Sequence, residues 1–129
     1  MISMSNRIRI LYVDDSPLTT RAHSKILVEY GFEVVTANSP QDGLDHLDGE
    51  TVDCIVSDLE MPGTDGLEFL STIRTNYPEL PFILFTGRES EQAIVEAFDR
   101  GATDFVPKSV CRISEELLCR RIEQAVSTA

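Results

Sequence analysis

The 129-residue sequence predicts an α/β domain, a doubly wound parallel sheet of five strands in the order 2-1-3-4-5 with helices on both faces. Three observations predict it. Short runs of branched and aromatic apolar residues alternate with helix-period patterns along the whole chain. Ser16-Pro17 and Ser39-Pro40 repeat one helix-start device, a Ser N-cap with Pro at the first helical position. Pro107, beside the last apolar run, lacks a ladder donor and suits a strand at the sheet edge.

Each element follows in order. Residues 8–13 read as the first strand, and the helix after Ser16 presents Leu18, Ala22, Ile26 and Leu27 as its apolar stripe before Gly31 ends it. Residues 33–36 form a short second strand; the next helix buries Leu44 and Leu47. Residues 53–57 are the third strand. Asp65, with Glu68 three residues on, caps a helix striped by Leu67, Leu70, Ile73 and Tyr77 and closed by Pro78. Residues 81–85 are the fourth strand, followed by a helix from about residue 90 with Ile94, Ala97 and Phe98 inward, then Gly101. Residues 103–106 are the fifth strand, and a last helix over residues 114–126 buries Leu117, Leu118, Ile122 and Ala125.

The length suits one domain, residues 7–129, after a tail of residues 1–6. Hydrophobic residues make up 42%, enough for a packed core. No apolar run reaches the length of a membrane span, and the first residues lack the regions of a secretion signal. Cys54, Cys111 and Cys119 match no metal-site spacing and are odd in number, which fits reduced thiols in the cytoplasm. The net charge of −11 repels phosphate backbones and argues against nucleic-acid binding.

The polar residues that matter stand where strands end. Asp14-Asp15 follow the first strand, Asp58 the third, Thr86 the fourth and Lys108 the fifth. In a parallel sheet of this order those ends share one edge, and strands 1 and 3 meet at the switch point where such sheets bind ligands. Singly, each has an ordinary reading as a helix-start acid, a turn residue or a surface lysine. Their conjunction at four strand ends points to a site. Two carboxylates at about 4 Å repel by roughly 4 kcal/mol at an effective dielectric near 20. Three such groups facing one lysine leave a charge that a divalent cation balances, and an all-oxygen set selects a hard ion, Mg²⁺ or Mn²⁺.

At these residues the chain resembles the receiver domain of two-component response regulators, chemotaxis regulators among them. The resemblance rests on the motifs Tyr12-Val13-Asp14-Asp15-Ser16, residues 57–66 (SDLEMPGTDG), Phe85-Thr86-Gly87 and residues 101–108 (GATDFVPK). It implies the flavodoxin-like (βα)5 fold. It also implies a phosphorelay switch in which Asp58 accepts a phosphoryl group from a phosphohistidine of a sensor kinase or phosphotransfer protein. Mg²⁺ would be held by Asp14, Asp15, Asp58 and the Glu60 backbone carbonyl, and Lys108 would pair with the phosphoryl oxygens. Thr86 and Phe105 would be the switch pair that shifts the face made by the fourth helix, fifth strand and fifth helix. That face would serve a downstream target, an output domain or a phosphorylation-dependent dimer. By this resemblance the domain is not an enzyme on external substrates, though it catalyses its own phosphorylation and dephosphorylation.

Two departures stand out. Receivers usually carry Pro after the lysine, whereas here the order is Pro107-Lys108-Ser109, so the loop that carries the lysine is expected to be rebuilt. By the same resemblance Glu60 and Arg88 would flank the mouth of the site, and they are expected to approach one another and hinder the hydrolytic water. His23 and His46 read as solvated helix histidines, and Arg112, Glu115, Glu116, Arg120, Arg121 and Glu123 as the wet face of the last helix. The competing readings are a Mg²⁺-dependent phosphohydrolase with an aspartyl nucleophile and a receiver that binds constitutively without phosphorylation.

Overall fold

A computed structural model describes residues 7–59, 61, 66–87, 91–108 and 113–128, with side chains of the last helix from residue 115 onward. Expectations that concern Glu60, Asp65, Arg88, Ser109, Cys111 and Arg112 lie outside those residues.

Strands and helices alternate without exception: β1 Arg9–Val13, α1 Pro17–Glu29, β2 Glu33–Ala37, α2 Pro40–Gly49, β3 Cys54–Ser57, α3 Gly66–Asn76, β4 Phe82–Thr86, α4 Glu91–Asp99, β5 Asp104–Pro107 and α5 Ile113–Thr128. All strand pairs are parallel, in the predicted order β2-β1-β3-β4-β5. The Ser-Pro devices work as the residue types require. Ser16 Oγ accepts from the Thr19 amide at 3.3 Å, and Ser39 Oγ accepts from the Asp42 amide at 3.1 Å, each with Pro at the start of the helix.

Side chains alternate across each strand and divide the core in two. Leu11, Val13, Ile55, Phe82 and Leu84 pack with Leu47 of α2, Phe69, Leu70 and Ile73 of α3 and Ala97 of α4. Ile10, Tyr12, Val56, Ile83, Phe85 and Val106 pack with Leu27 of α1 and Leu118, Ile122 and Ala125 of α5. Helices α1 and α5 therefore cover one face, and α2, α3 and α4 the other. The central strands β3 and β4 are buried along their whole length, as strands covered on both faces must be. Pro107 ends the edge strand opposite Thr86, and the ladder resumes beyond it with the Lys108 amide donating to the Thr86 carbonyl at 2.9 Å.

Three apolar assignments differ from the periodicity reading. Leu18 is 80% exposed and Ala22 is exposed. The inward face of α1 runs instead through His23 and Leu27, an i, i+4 pair, so a polar residue holds a place that an apolar count assigns to its neighbours. Phe98 is 44% exposed, because α4 turns Ala93 and Ala97 to the core and faces Val95 and Phe98 outward. On α5, Arg121 is no free surface charge; it pairs with Asp104 of β5 at 3.0 Å.

Candidate functional site at the carboxyl edge of the sheet

The backbone brings the site together before any side chain does. Asp14 and Asp58 each follow the last residue of a strand, and β1 and β3 are neighbours. The Asp58 amide donates to the Val13 carbonyl at 3.0 Å, and the Asp14 amide donates to the Ala37 carbonyl at 3.1 Å, so both acids are tied to adjoining strand ends. The start of α3 is held against the end of β3 by close contact. The Gly66 amide donates to the Leu59 carbonyl at 2.8 Å, and a Cβ on Gly66 would lie 2.7 Å from the Asp58 carbonyl oxygen and from the Leu59 Cα. Only glycine lets the start of α3 approach the strand exit so closely.

The side chains then converge. Lys108 Nζ donates to Asp14 Oδ2 at 2.7 Å and to Asp58 Oδ2 at 2.9 Å. The Thr86 hydroxyl donates to Asp58 Oδ1 at 2.8 Å. The Ser16 amide donates to Asp14 Oδ1 at 3.0 Å. Asp14 is 2% exposed, and Thr86 is buried. A carboxylate so enclosed needs a compensating cation, which Lys108 supplies. Burial alone would lower the Lys108 ammonium, but hydrogen bonds and charge from Asp14 and Asp58 outweigh it and hold the group above its ordinary range. Lys108 thus reaches the site despite the altered order of residues after the strand.

Such a pocket presents a carboxylate with one oxygen facing a hydroxyl donor and the other an ammonium. It suits the transfer of an anionic group onto Asp58, since phosphoryl transfer asks a protein mainly for positioning and charge neutralisation. The model of the response regulator receiver domain matches residues 10–123. The chain belongs to that family. Its fold is the one that the receiver resemblance implied, and Asp14, Asp58, Thr86 and Lys108 stand at strand ends, as their positions in the sequence predict.

Similar proteins agree. The chain is 37% identical over 100 residues to the response regulator protein FleR of Pseudomonas aeruginosa, covering 78% of this chain and 21% of FleR. It is 32% identical over 126 residues to the transcriptional regulatory protein FixJ of Bradyrhizobium diazoefficiens, covering 98% of this chain and 60% of FixJ. The chain therefore spans less than two thirds of the length of these relatives. Among solved structures, a response regulator receiver domain protein from Clostridium thermocellum superposes with a TM-score of 0.86 at 26% identity, covering 94% of this chain and 95% of that one. The chemotaxis response regulator CheY4 of Vibrio cholerae superposes with a TM-score of 0.81 at 28% identity, covering 91% and 99%.

Not every residue expected in the receiver site lies in its centre. Asp15 is exposed, and among the described residues no group of three or more His, Cys, Asp or Glu side chains is arranged to hold a metal ion. Asp14 and Asp58 nonetheless share one cation, the Lys108 ammonium, and offer only oxygen donors. That donor set fits a hard divalent ion. Phe105 is half-buried and packs against the core on the α2–α4 side.

Two residues near the receiver site escaped the sequence reading. The Tyr12 hydroxyl lies 3.4 Å from Asp14 Oδ2, as donor, and 2.8 Å from His23 Nδ1. His23 is no solvated histidine. Its ring packs edge-on against Phe85 with centroids 4.9 Å apart, and its Nε2 lies 3.6 Å from Glu115 of α5. A tyrosine inside a buried strand is itself a signal, because its hydroxyl must find a partner. His46, by contrast, stays on α2, between Glu50 at 3.0 Å and Asp42 at 3.9 Å.

Proposed function

We propose that the protein is the phosphoacceptor switch of a two-component phosphorelay, with Asp58 as the acceptor. One observation carries this: Asp58 is held at a strand end with Thr86 on one carboxylate oxygen and Lys108 on the other. An Asp58 oxygen attacks the phosphorus of a phosphohistidine on a kinase or phosphotransfer protein. The P–N bond breaks, and its electron pair returns to the histidine nitrogen. The product is an acyl phosphate on Asp58.

Asp14, Asp15, Asp58 and the Glu60 carbonyl would hold Mg²⁺ or Mn²⁺. The ion supplies charge neutralisation between anionic donor and acceptor. Lys108 then serves the phosphoryl oxygens, and the Thr86 hydroxyl follows them. Phe105, half-buried opposite Leu84 and two residues along the ladder from Thr86, turns inward as Thr86 moves, and the change is read on the α4–β5–α5 face. Val95 and Phe98 support that assignment, because they give α4 exposed apolar surface, 58% and 44% exposed. The face would take a downstream protein, an output domain or a second copy of the chain. Glu60 and Arg88 would set the lifetime of the acyl phosphate at the site mouth. Among the described residues no helix is long and apolar enough to cross a membrane, which fits a cytoplasmic partner of a kinase.

The test is labelling by acetyl phosphate, with and without Mg²⁺, read by mass spectrometry. One phosphoryl group per wild-type chain, dependent on Mg²⁺ and lost in Asp58→Asn, is the expected result. Labelling that survives in Asp58→Asn would sink the assignment. Repeated turnover of an external phosphomonoester without labelling would point to the phosphohydrolase.

A further inference from the structure

We propose that Tyr12 and His23 are positioning residues for the Asp14 carboxylate, and that Glu115 on α5 sets how firmly they hold it. The proposal rests on the reading of Asp14 as a metal-site carboxylate.

The Tyr12 hydroxyl is buried and has two polar neighbours but one proton. Asp14 Oδ2 lies 3.4 Å away, and His23 Nδ1 lies 2.8 Å away. Which neighbour receives the proton depends on His23. If the ring carries its hydrogen on Nδ1, it donates to the phenol oxygen, and the phenol proton is left for Asp14. If the hydrogen is on Nε2, the phenol donates to Nδ1 and turns lone pairs toward Asp14. Glu115 Oε2 stands 3.6 Å from Nε2, and its negative charge favours the second arrangement. Burial, followed by the charge of Lys108, lowers His23, so near neutral pH the ring has a single N–H to place.

The consequence lies with Lys108. In this structure its ammonium is 2.7 Å from the same Asp14 Oδ2 that faces Tyr12. When Lys108 is drawn to a phosphoryl group, that oxygen loses its strongest donor, and the Tyr12 hydroxyl can replace it only in the first arrangement, which Glu115 opposes. The chain of contacts Asp14–Tyr12–His23–Glu115 runs from the site through β1 and α1 to α5. It links the hold on Asp14 to the α1–α5 seam, the opposite side of the sheet from α4. A tyrosine that merely satisfies its own hydroxyl would affect stability and leave metal binding alone.

The experiment is calorimetric titration of Mg²⁺ into the whole chain, with acetyl phosphate labelling in parallel. The variants are Tyr12→Phe, Glu115→Gln and the two combined, with folding checked by circular dichroism. Tyr12→Phe is expected to weaken Mg²⁺ binding roughly tenfold on the Glu115→Gln background, where the phenol proton is free for Asp14, at the lower end for the loss of a ligand's outer partner. Glu115→Gln is expected to tighten it, and to have no such effect on the Tyr12→Phe background. Unchanged affinity in Glu115→Gln, or an equal Glu115→Gln shift on both backgrounds, overturns the proposal while the phosphoacceptor reading stands. A wild-type chain that neither binds Mg²⁺ nor labels overturns that reading, and this one with it.

Discussion

Lys108 Nζ lies 2.9 Å from Asp58 Oδ2, although 50 residues separate the two in the chain. The same ammonium lies 2.7 Å from Asp14. One cation therefore neutralises two enclosed carboxylates, and its removal exposes each to the other. Lys108→Met is expected to lower stability by roughly 1–3 kcal/mol in metal-free buffer. Added Mg²⁺ should restore part of that loss. Urea midpoints with and without the ion measure both effects, and equal midpoints for variant and wild type in metal-free buffer would refute the bridging role.

Thr86 donates to Asp58 Oδ1 at 2.8 Å from a buried position. Thr86→Val keeps the shape of the side chain and removes the hydroxyl. Loss of one hydrogen bond to a charged group corresponds to about tenfold in rate if it serves the transfer. Labelling by acetyl phosphate should slow by about that factor in Thr86→Val and recover in Thr86→Ser. A Thr86→Val chain that labels at the wild-type rate would remove Thr86 from the machinery.

Gly66 has no room for a methyl group, since a Cβ would meet backbone atoms of Asp58 and Leu59 at 2.7 Å. Backbone cannot swing aside as a flexible side chain can. Gly66→Ala is expected to cost about 1–3 kcal/mol and to displace the backbone of Asp58 and Leu59. Gly49, at the end of α2, has nothing within 4 Å of its would-be Cβ, and Gly49→Ala should be tolerated. Urea melts of the two variants, side by side, check the contrast.

His23 carries the pH dependence on the acid side. Burial lowers its folded-state pKa below the ordinary value near 6.5, so the unfolded chain binds its proton first. The stability contributed by the neutral ring is complete above that value and is lost as pH falls through the lower folded-state pKa. The urea midpoint of the wild type should decline as pH drops from about 7.5 to 5.5. His23→Gln should flatten that decline. Parallel curves for the two proteins would contradict the assignment.

The strand order and the four strand-end residues were legible because both rest on strong local rules. Branched runs mark the strands, Ser-Pro pairs mark the helix starts, and a parallel sheet gathers its strand ends on one edge. Leu18 and Phe98 were misplaced for a different reason. Periodicity says which residues share a helix face, but the tertiary packing of α1 and α4 decides which face turns inward. His23 was hidden by the same rule, since an apolar stripe cannot announce a histidine whose partners come from β1, β4 and α5. The reach of Lys108 could not be read from Pro107-Lys108-Ser109, because it depends on where the edge strand places its last residue. Here the Lys108 amide is tied to the Thr86 carbonyl, and that hydrogen bond carries the side chain over the acids.

The contact between Lys108 and Asp14 spans 94 residues, most of the polypeptide. During translation the two aspartates leave the ribosome long before the lysine that quiets them. A nascent chain that has formed only its first four strands therefore holds unbalanced negative charge at its switch point. Closure of that electrostatic gap waits for the edge strand, so the charge balance of the site is complete only once β5 has paired with β4.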